Sequence, residues 1–277
     1  MYPVLFHLGT LPVPTHEWFT VLGLLVAVGL VAFEARRRGV ADRAMATIAV
    51  GALLGGAIGA RLGNWWIYLV QGGSLTLPGL LVDAGKSVLG GLAGAYAGVV
   101  VTKRILGYRA RTGDVFAPAV ALGLAVGRIG CFLTEQIGTP TSLPWGFIPP
   151  AGTLDRIPNC PQCQPGVAMH PSFLYEVAFF VALFAALQWL RPRVLHLPGE
   201  LFKVFLAAYC VFRFGVEFVR GNPDVALGLS RSQWFLLATG PLIAWYFLRQ
   251  VRSGAYRSPA TQRPIPAVVA PMQGGTP

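Results

Sequence analysis

Arg128 closes an otherwise apolar segment, and the residues that follow it, in GRIGCFLTEQIGTPTSLPWG (127 to 146), break into a Gly/Pro loop. A guanidinium at the edge of an apolar segment is costly unless it faces water, a headgroup or an anionic partner. Snorkelling to the membrane surface would account for one such arginine. Here Arg61, Arg213, Glu176 and Glu217 also lie in or beside apolar segments, and a lone anchor does not explain that company. Tyr209, Arg213, Glu217 and Arg220 follow one another at intervals of four, four and three, so a continuous helix would carry them on one face. Such a stripe either satisfies itself, with Glu217 pairing to both arginines, or forms one wall of a polar cavity. Guanidiniums converging at headgroup depth suit a phosphate, whose oxygens match their fork of donors. The residue types therefore point to an anionic-lipid site and by themselves name no reaction.

The elements that must position these side chains are membrane spans. The chain is 54% hydrophobic, 12% charged and has a mean hydropathy of +0.58, outside the range of ordinary soluble domains. Apolar runs at 18–33, 44–62, 84–102, 115–133, 171–190, 200–219 and 233–250 approach the roughly 20 residues that a bilayer core requires. An all-α, polytopic bundle of about seven transmembrane helices is expected. Basic residues follow the first run instead of preceding it, which argues against a cleaved signal peptide. With the N-terminus outside and the C-terminus cytoplasmic, the arginine-rich connections (Arg36 to Arg43, Lys103 to Arg111, Arg191 and Arg193, Arg249 to Arg263) all fall inside, as the positive-inside rule demands. The net charge of +11 is thus orienting charge, and nucleic acid is not an expected partner.

Residues 1–255 read as one membrane domain, with 134–170 as an outer loop that covers a site or meets a partner, and 256–277 as a disordered cytoplasmic tail. Gly51, Gly55, Gly59 and Gly63 in the second run, and Gly90, Gly94 and Gly98 in the third, recur at helical spacing and predict close helix packing. Cys160 and Cys163 in the outer loop form a CPQC pair, read as a loop disulfide or plain thiols because further metal ligands are lacking. Neither a metal nor a cofactor is expected, since there is no Gly-rich nucleotide loop. Transport is disfavoured, because no inverted repeat or pair of interrupted spans is evident.

Several motifs together resemble the prolipoprotein diacylglyceryl transferase family along nearly the whole chain. GRIGCF is similar to that family's glycine-arginine signature; LPWGF and HPSFLYE (170 to 176) resemble its next two blocks. YCVFRFGVEFVRGNPD (209 to 224) resembles the block that supplies a tyrosine and an arginine, with weaker echoes in IGARLG and DAGKSVLGGLAG. The resemblance implies transfer of a diacylglyceryl group from phosphatidylglycerol to the lipobox cysteine of exported prolipoproteins, in a bacterial plasma (inner) membrane. It implies that Arg128 and Arg213 clamp the phosphate, that Tyr209 contacts the headgroup or the reacting centre, and that Glu135 matches the glutamate after the signature. Glu217 would orient Arg213, and Arg61, Arg220, His170 and Tyr175 complete the expected substrate-binding set.

Three positions depart from the family pattern: Leu89 stands where a histidine precedes the paired glycines, Cys131 where an asparagine follows the signature, and Trp18 near the tyrosine of the first span. Leucine cannot accept a proton. One reading is a transferase whose base is another group, such as His16, His170 or Glu135, or whose substrate thiol ionises without one. The alternatives are a non-catalytic paralogue that binds anionic phospholipid or lipoprotein signal segments, and altered chemistry with Cys131 as nucleophile.

Overall fold

Each apolar run folds as a helix, because only a helix satisfies its own backbone donors and acceptors in hydrocarbon. The structure, a computed structural model, describes residues 2–70, 76, 87–135, 138–150, 166–194 and 197–256. The helices are α1 (Thr15–Arg37), α2 (Arg43–Val70), α3 (Val88–Ile105), α4 (Gly113–Thr134), α5 (Ser172–Val194), α6 (Glu200–Val216) and α7 (Arg231–Arg252). These match the expected segments in order, and α1 to α5 are long and apolar enough to cross a bilayer. The protein is thus a helical, multi-pass membrane protein. Two small antiparallel hairpins add to it: β1 (Val4–Leu8) with β2 (Leu11–Pro14), and β3 (Asp224–Ala226) with β4 (Leu229–Ser230). Cys160, Cys163 and the expected tail from 257 onward lie outside the described residues.

The chain divides into two compact units, Val31–Ala110 and the remainder on either side of it. In the first, α2 and α3 meet through the glycine ladders, as their spacing predicted. A Cβ on Gly94 would strike the Gly55 carbonyl and lie 2.7 Å from Gly59 Cα. Gly94→Val should therefore force the helices apart at a cost of about 1–3 kcal/mol, seen as a lower midpoint of thermal unfolding in detergent. Arg61 lies in α2, near the end of its membrane-crossing stretch Arg43–Trp65; the helix itself runs on to Val70.

In the second unit, α4 is the most buried helix. Its small residues Ala117, Ala119, Ala121 and Ala125 are almost fully enclosed, and α5 and α6 pack against it and each other. Asp114 at the start of α4 is buried and accepts from the backbone N–H groups of Gly199 (2.8 Å) and Leu201 (2.9 Å). It thereby supplies the first turn of α6 with the acceptor that the preceding residue, Gly199 at φ +83°, has no side chain to offer. Asp114→Ala should cost about 1–3 kcal/mol by leaving these donors buried and unpaired, again read as thermal unfolding. At the same end, Glu200 accepts from Tyr246 (2.9 Å) and Tyr256 and pairs with Lys203 (3.0 Å), tying α7 to α6. Burial and the Glu200 carboxylate push the Tyr256 phenol above its usual range, so it remains a donor.

Candidate functional site

The polar side chains converge at the opposite end of α4. Arg128, one turn and a half before the end of that helix, is 6% exposed and forms an ion pair through Nε with Oε2 of Glu176 on α5. The other oxygen of Glu176, Oε1, accepts from Arg220 Nη1. Glu176 is wholly buried, so this carboxylate bridges two guanidiniums in a dry setting, where only such pairing makes the charges tolerable. Phe173, one turn earlier on α5, lies under both cations, 4.5 Å from Arg220 and 5.6 Å from Arg128, which adds an aromatic face to their binding.

A second pair forms beside the first. Arg213 on α6 donates through Nη1 to Oε2 of Glu217, while Oε1 of Glu217 accepts from Asn222 Nδ2 (2.7 Å) and Ser230 Oγ (2.7 Å). Ser230 also caps α7 in a capping box with Gln233, so the start of α7 and the carboxylate hold each other in place. The continuous stripe expected from the spacing does not form. Helix α6 ends at Val216 and a 3-10 turn, Glu217–Val219, follows, which turns Arg220 away from the α6 face. Glu217 consequently ion-pairs with Arg213, while Arg220 pairs with Glu176, which comes from a different helix.

Tyr209 occupies the middle of this arrangement. Its ring stacks with Phe180 and Phe205 at centroid separations of 5.6 and 6.3 Å, which fixes its direction. The hydroxyl is buried, has no hydrogen-bond partner among the described residues, and lies within electrostatic reach of Arg128, Arg213, Glu176 and Arg220. Buried hydroxyls rarely stay unpaired without a reason. Three guanidiniums and two carboxylates also leave one positive charge uncompensated among these five side chains. Both features fit an anion that accepts from Tyr209 and neutralises the excess.

Beyond Arg128, the last turn of α4 meets the start of α1. Arg128 Nη1 donates to Cys131 Sγ at 3.6 Å; His16 Nδ1 lies 3.9 Å from that sulfur and 3.3 Å from Oε1 of Glu135. The β1–β2 hairpin sets this approach, since Thr15 bonds back to Pro3 and Tyr2, and Tyr2 N–H donates to the Leu133 carbonyl (2.9 Å). Gly130 allows it, because a Cβ there would meet Phe19 Cβ at 2.7 Å and His16 Cα at 3.4 Å.

The outer loop forms a separate polar string. Trp145 Nε1 donates to the Tyr175 hydroxyl (3.0 Å), which is 3.1 Å from His170 Nδ1. Backbone bonds join Thr139 to Val219 (3.0 Å) and His170 to Thr139 (2.8 Å), so the described parts of 138–170 are built onto the 3-10 turn that carries Glu217. Of the expected residues, Arg128, Arg213, Tyr209, Glu217 and Arg220 share one cluster; Glu135 belongs to the His16 group; His170 and Tyr175 belong to the loop string. Arg61 is half-buried on α2 in the other unit. Sequence reasoning undervalued Glu176 and passed over Phe173, Asn222 and Ser230. Glu176 had a signal, a carboxylate within the apolar run FLYEVAFF, whereas Asn222 and Ser230 are ordinary turn and cap residues.

A family model described as prolipoprotein diacylglyceryl transferase matches residues 3–248. Among curated proteins, the phosphatidylglycerol–prolipoprotein diacylglyceryl transferase of Cupriavidus necator is 34% identical, covering 91% of this chain and 95% of its own. That of Geobacter sulfurreducens is 36% identical over 82% and 85%, and that of Bordetella bronchiseptica 32% identical over 84% and 88%.

Proposed function

Since the chain belongs to the prolipoprotein diacylglyceryl transferase family, we propose that it moves the diacylglyceryl group of phosphatidylglycerol to the lipobox cysteine of prolipoproteins, in a bacterial inner membrane. The observation that carries this is the buried cluster of Arg128, Arg213 and Arg220 against two carboxylates, centred on the unpartnered Tyr209 hydroxyl. The arginine-rich connections put the Arg128 end of α4 at the outer leaflet, where exported substrates arrive.

The chemistry follows from charge. The substrate thiol loses its proton, its sulfur forms a bond to the glyceryl carbon, and the bond from that carbon to the phosphate oxygen breaks. The electron pair leaves with glycerol phosphate. A phosphodiester carries one negative charge and the departing phosphomonoester gains a second. A site with spare positive charge therefore favours the transition state over the bound lipid, which is the condition for catalysis rather than mere binding. Arg128 and Arg213 contact the phosphate, Tyr209 donates to one of its oxygens, and Glu176 and Glu217 hold the guanidiniums in place. His170 and Tyr175 contact the peptide through the outer loop.

The test is thioether formation on a lipobox peptide by purified protein in phosphatidylglycerol liposomes. Wild type should modify the peptide and Arg213→Ala should lower the rate by roughly 10²-fold or more. Leu89→His should leave the wild-type rate within a few-fold. No transfer by wild type, with transfer by Leu89→His, would overturn the reading in favour of a lipid-binding relative.

A further inference from the structure

We infer that His16, held by Glu135, is the catalytic base that takes the proton from the substrate cysteine. The inference rests on the transferase reading above and answers what replaces a proton acceptor at Leu89. His16, Cys131 and Glu135 place one side-chain ligand or proton-carrying atom each within 4.8 Å of one another. Nδ1 of His16 faces Glu135 at 3.3 Å, so that nitrogen carries the hydrogen and donates to the carboxylate. Nε2 then keeps its lone pair, the arrangement that makes an imidazole a base. The His16 and Glu135 side chains are 28% and 39% exposed, open enough for a substrate thiol to reach the ring.

Placement relative to the phosphate site supports the assignment. Arg128, Cys131 and Glu135 succeed one another along the end of α4, and Cys131 Sγ touches Arg128 on one side and His16 on the other. One sulfur thus separates the imidazole from the arginine assigned above to the phosphate.

Two other uses of this cluster are less suitable. Cys131 as nucleophile would capture the diacylglyceryl group as a thioether, and a thiolate is too poor a leaving group at saturated carbon for the lipobox cysteine to displace it. A divalent cation among the same three side chains would sit against the Arg128 guanidinium, 3.6 Å from the sulfur, and be repelled by it. Cys131 is 7% exposed and acts as a positioning residue, keeping Arg128 and His16 apart by one sulfur.

The proton step needs no added reagent. The substrate S–H gives its proton to Nε2, sulfur bonds to carbon, the carbon–oxygen bond breaks, and the imidazolium later returns the proton to water. It can be tested with paired lipobox peptides that differ only in cysteine or selenocysteine, because a selenol is already ionised at neutral pH and needs no base. His16→Gln should slow thioether formation by roughly 10²-fold or more yet keep selenoether formation within about threefold of wild type. Imidazole added to His16→Gly should restore part of the thiol rate. Equal loss on both peptides, or a wild-type thiol rate in His16→Gln, would overturn the assignment. Failure of the transferase reading looks different: wild type would modify neither peptide.

Discussion

Arg128→Ala is expected to reduce diacylglyceryl transfer in phosphatidylglycerol liposomes by roughly 10²–10³-fold, the usual loss when one preorganised donor to developing negative charge is removed. Alanine takes away the spare positive charge: Arg213 and Arg220 then face Glu176 and Glu217 with no net excess. The protein should still fold, because Glu176 retains Arg220 as a partner. Arg128→Lys should recover little of the rate. Lysine offers a point charge, whereas Arg128 uses Nε for Glu176 and directs Nη1 toward Cys131, a division of labour that needs the planar fork. The loss should fall mainly on kcat, since the phosphate carries one charge when it binds and two as it leaves. A wild-type rate in Arg128→Ala would remove this arginine from the mechanism.

Glu176→Ala should be the most destabilising single change in the cluster, at about 3–5 kcal/mol, because it strips the partner from two guanidiniums at once. Arg128 and Arg220 would remain in a dry region, 7% and 14% exposed at their side chains, facing each other without a carboxylate between them. Glu176→Gln keeps an acceptor for Arg220 and removes only the charge, so its thermal midpoint in detergent should fall between wild type and alanine. That variant also raises the uncompensated charge among the five side chains from one to two. Phosphatidylglycerol added to the detergent should then raise its midpoint more than that of wild type, since a ligand that binds only the folded form stabilises according to its affinity. An equal rise in both proteins would mean that the cluster does not hold the phosphate.

How far the site was legible depended on the kind of signal. Arg128, Arg213, Tyr209 and Glu217 were visible because charge in apolar runs is rare enough to notice. Glu176 had the same signal, but its role as the carboxylate joining Arg128 on α4 to Arg220 after the 3-10 turn has no trace in local spacing. The intervals of Tyr209, Arg213, Glu217 and Arg220 suggested a single helical face, and the 3-10 turn at Glu217–Val219 broke it. The chemistry of Cys131 could be debated in the sequence but not decided there, because His16 lies 115 residues away and reaches it only by tertiary packing.

By itself, the sequence determined the class, the order of seven helices and the intimate α2–α3 contact, because hydrophobic length, basic flanks and glycine spacing are local properties that a bilayer reads directly. Tertiary structure alone decided the pairing of Arg220 with Glu176, the isolation of the Tyr209 hydroxyl and the meeting of His16 with Cys131 and Glu135. Each of those depends on where a helix stops and which neighbour it then faces. A buried charge takes whichever opposite charge the packing brings within reach, whatever the separation along the chain.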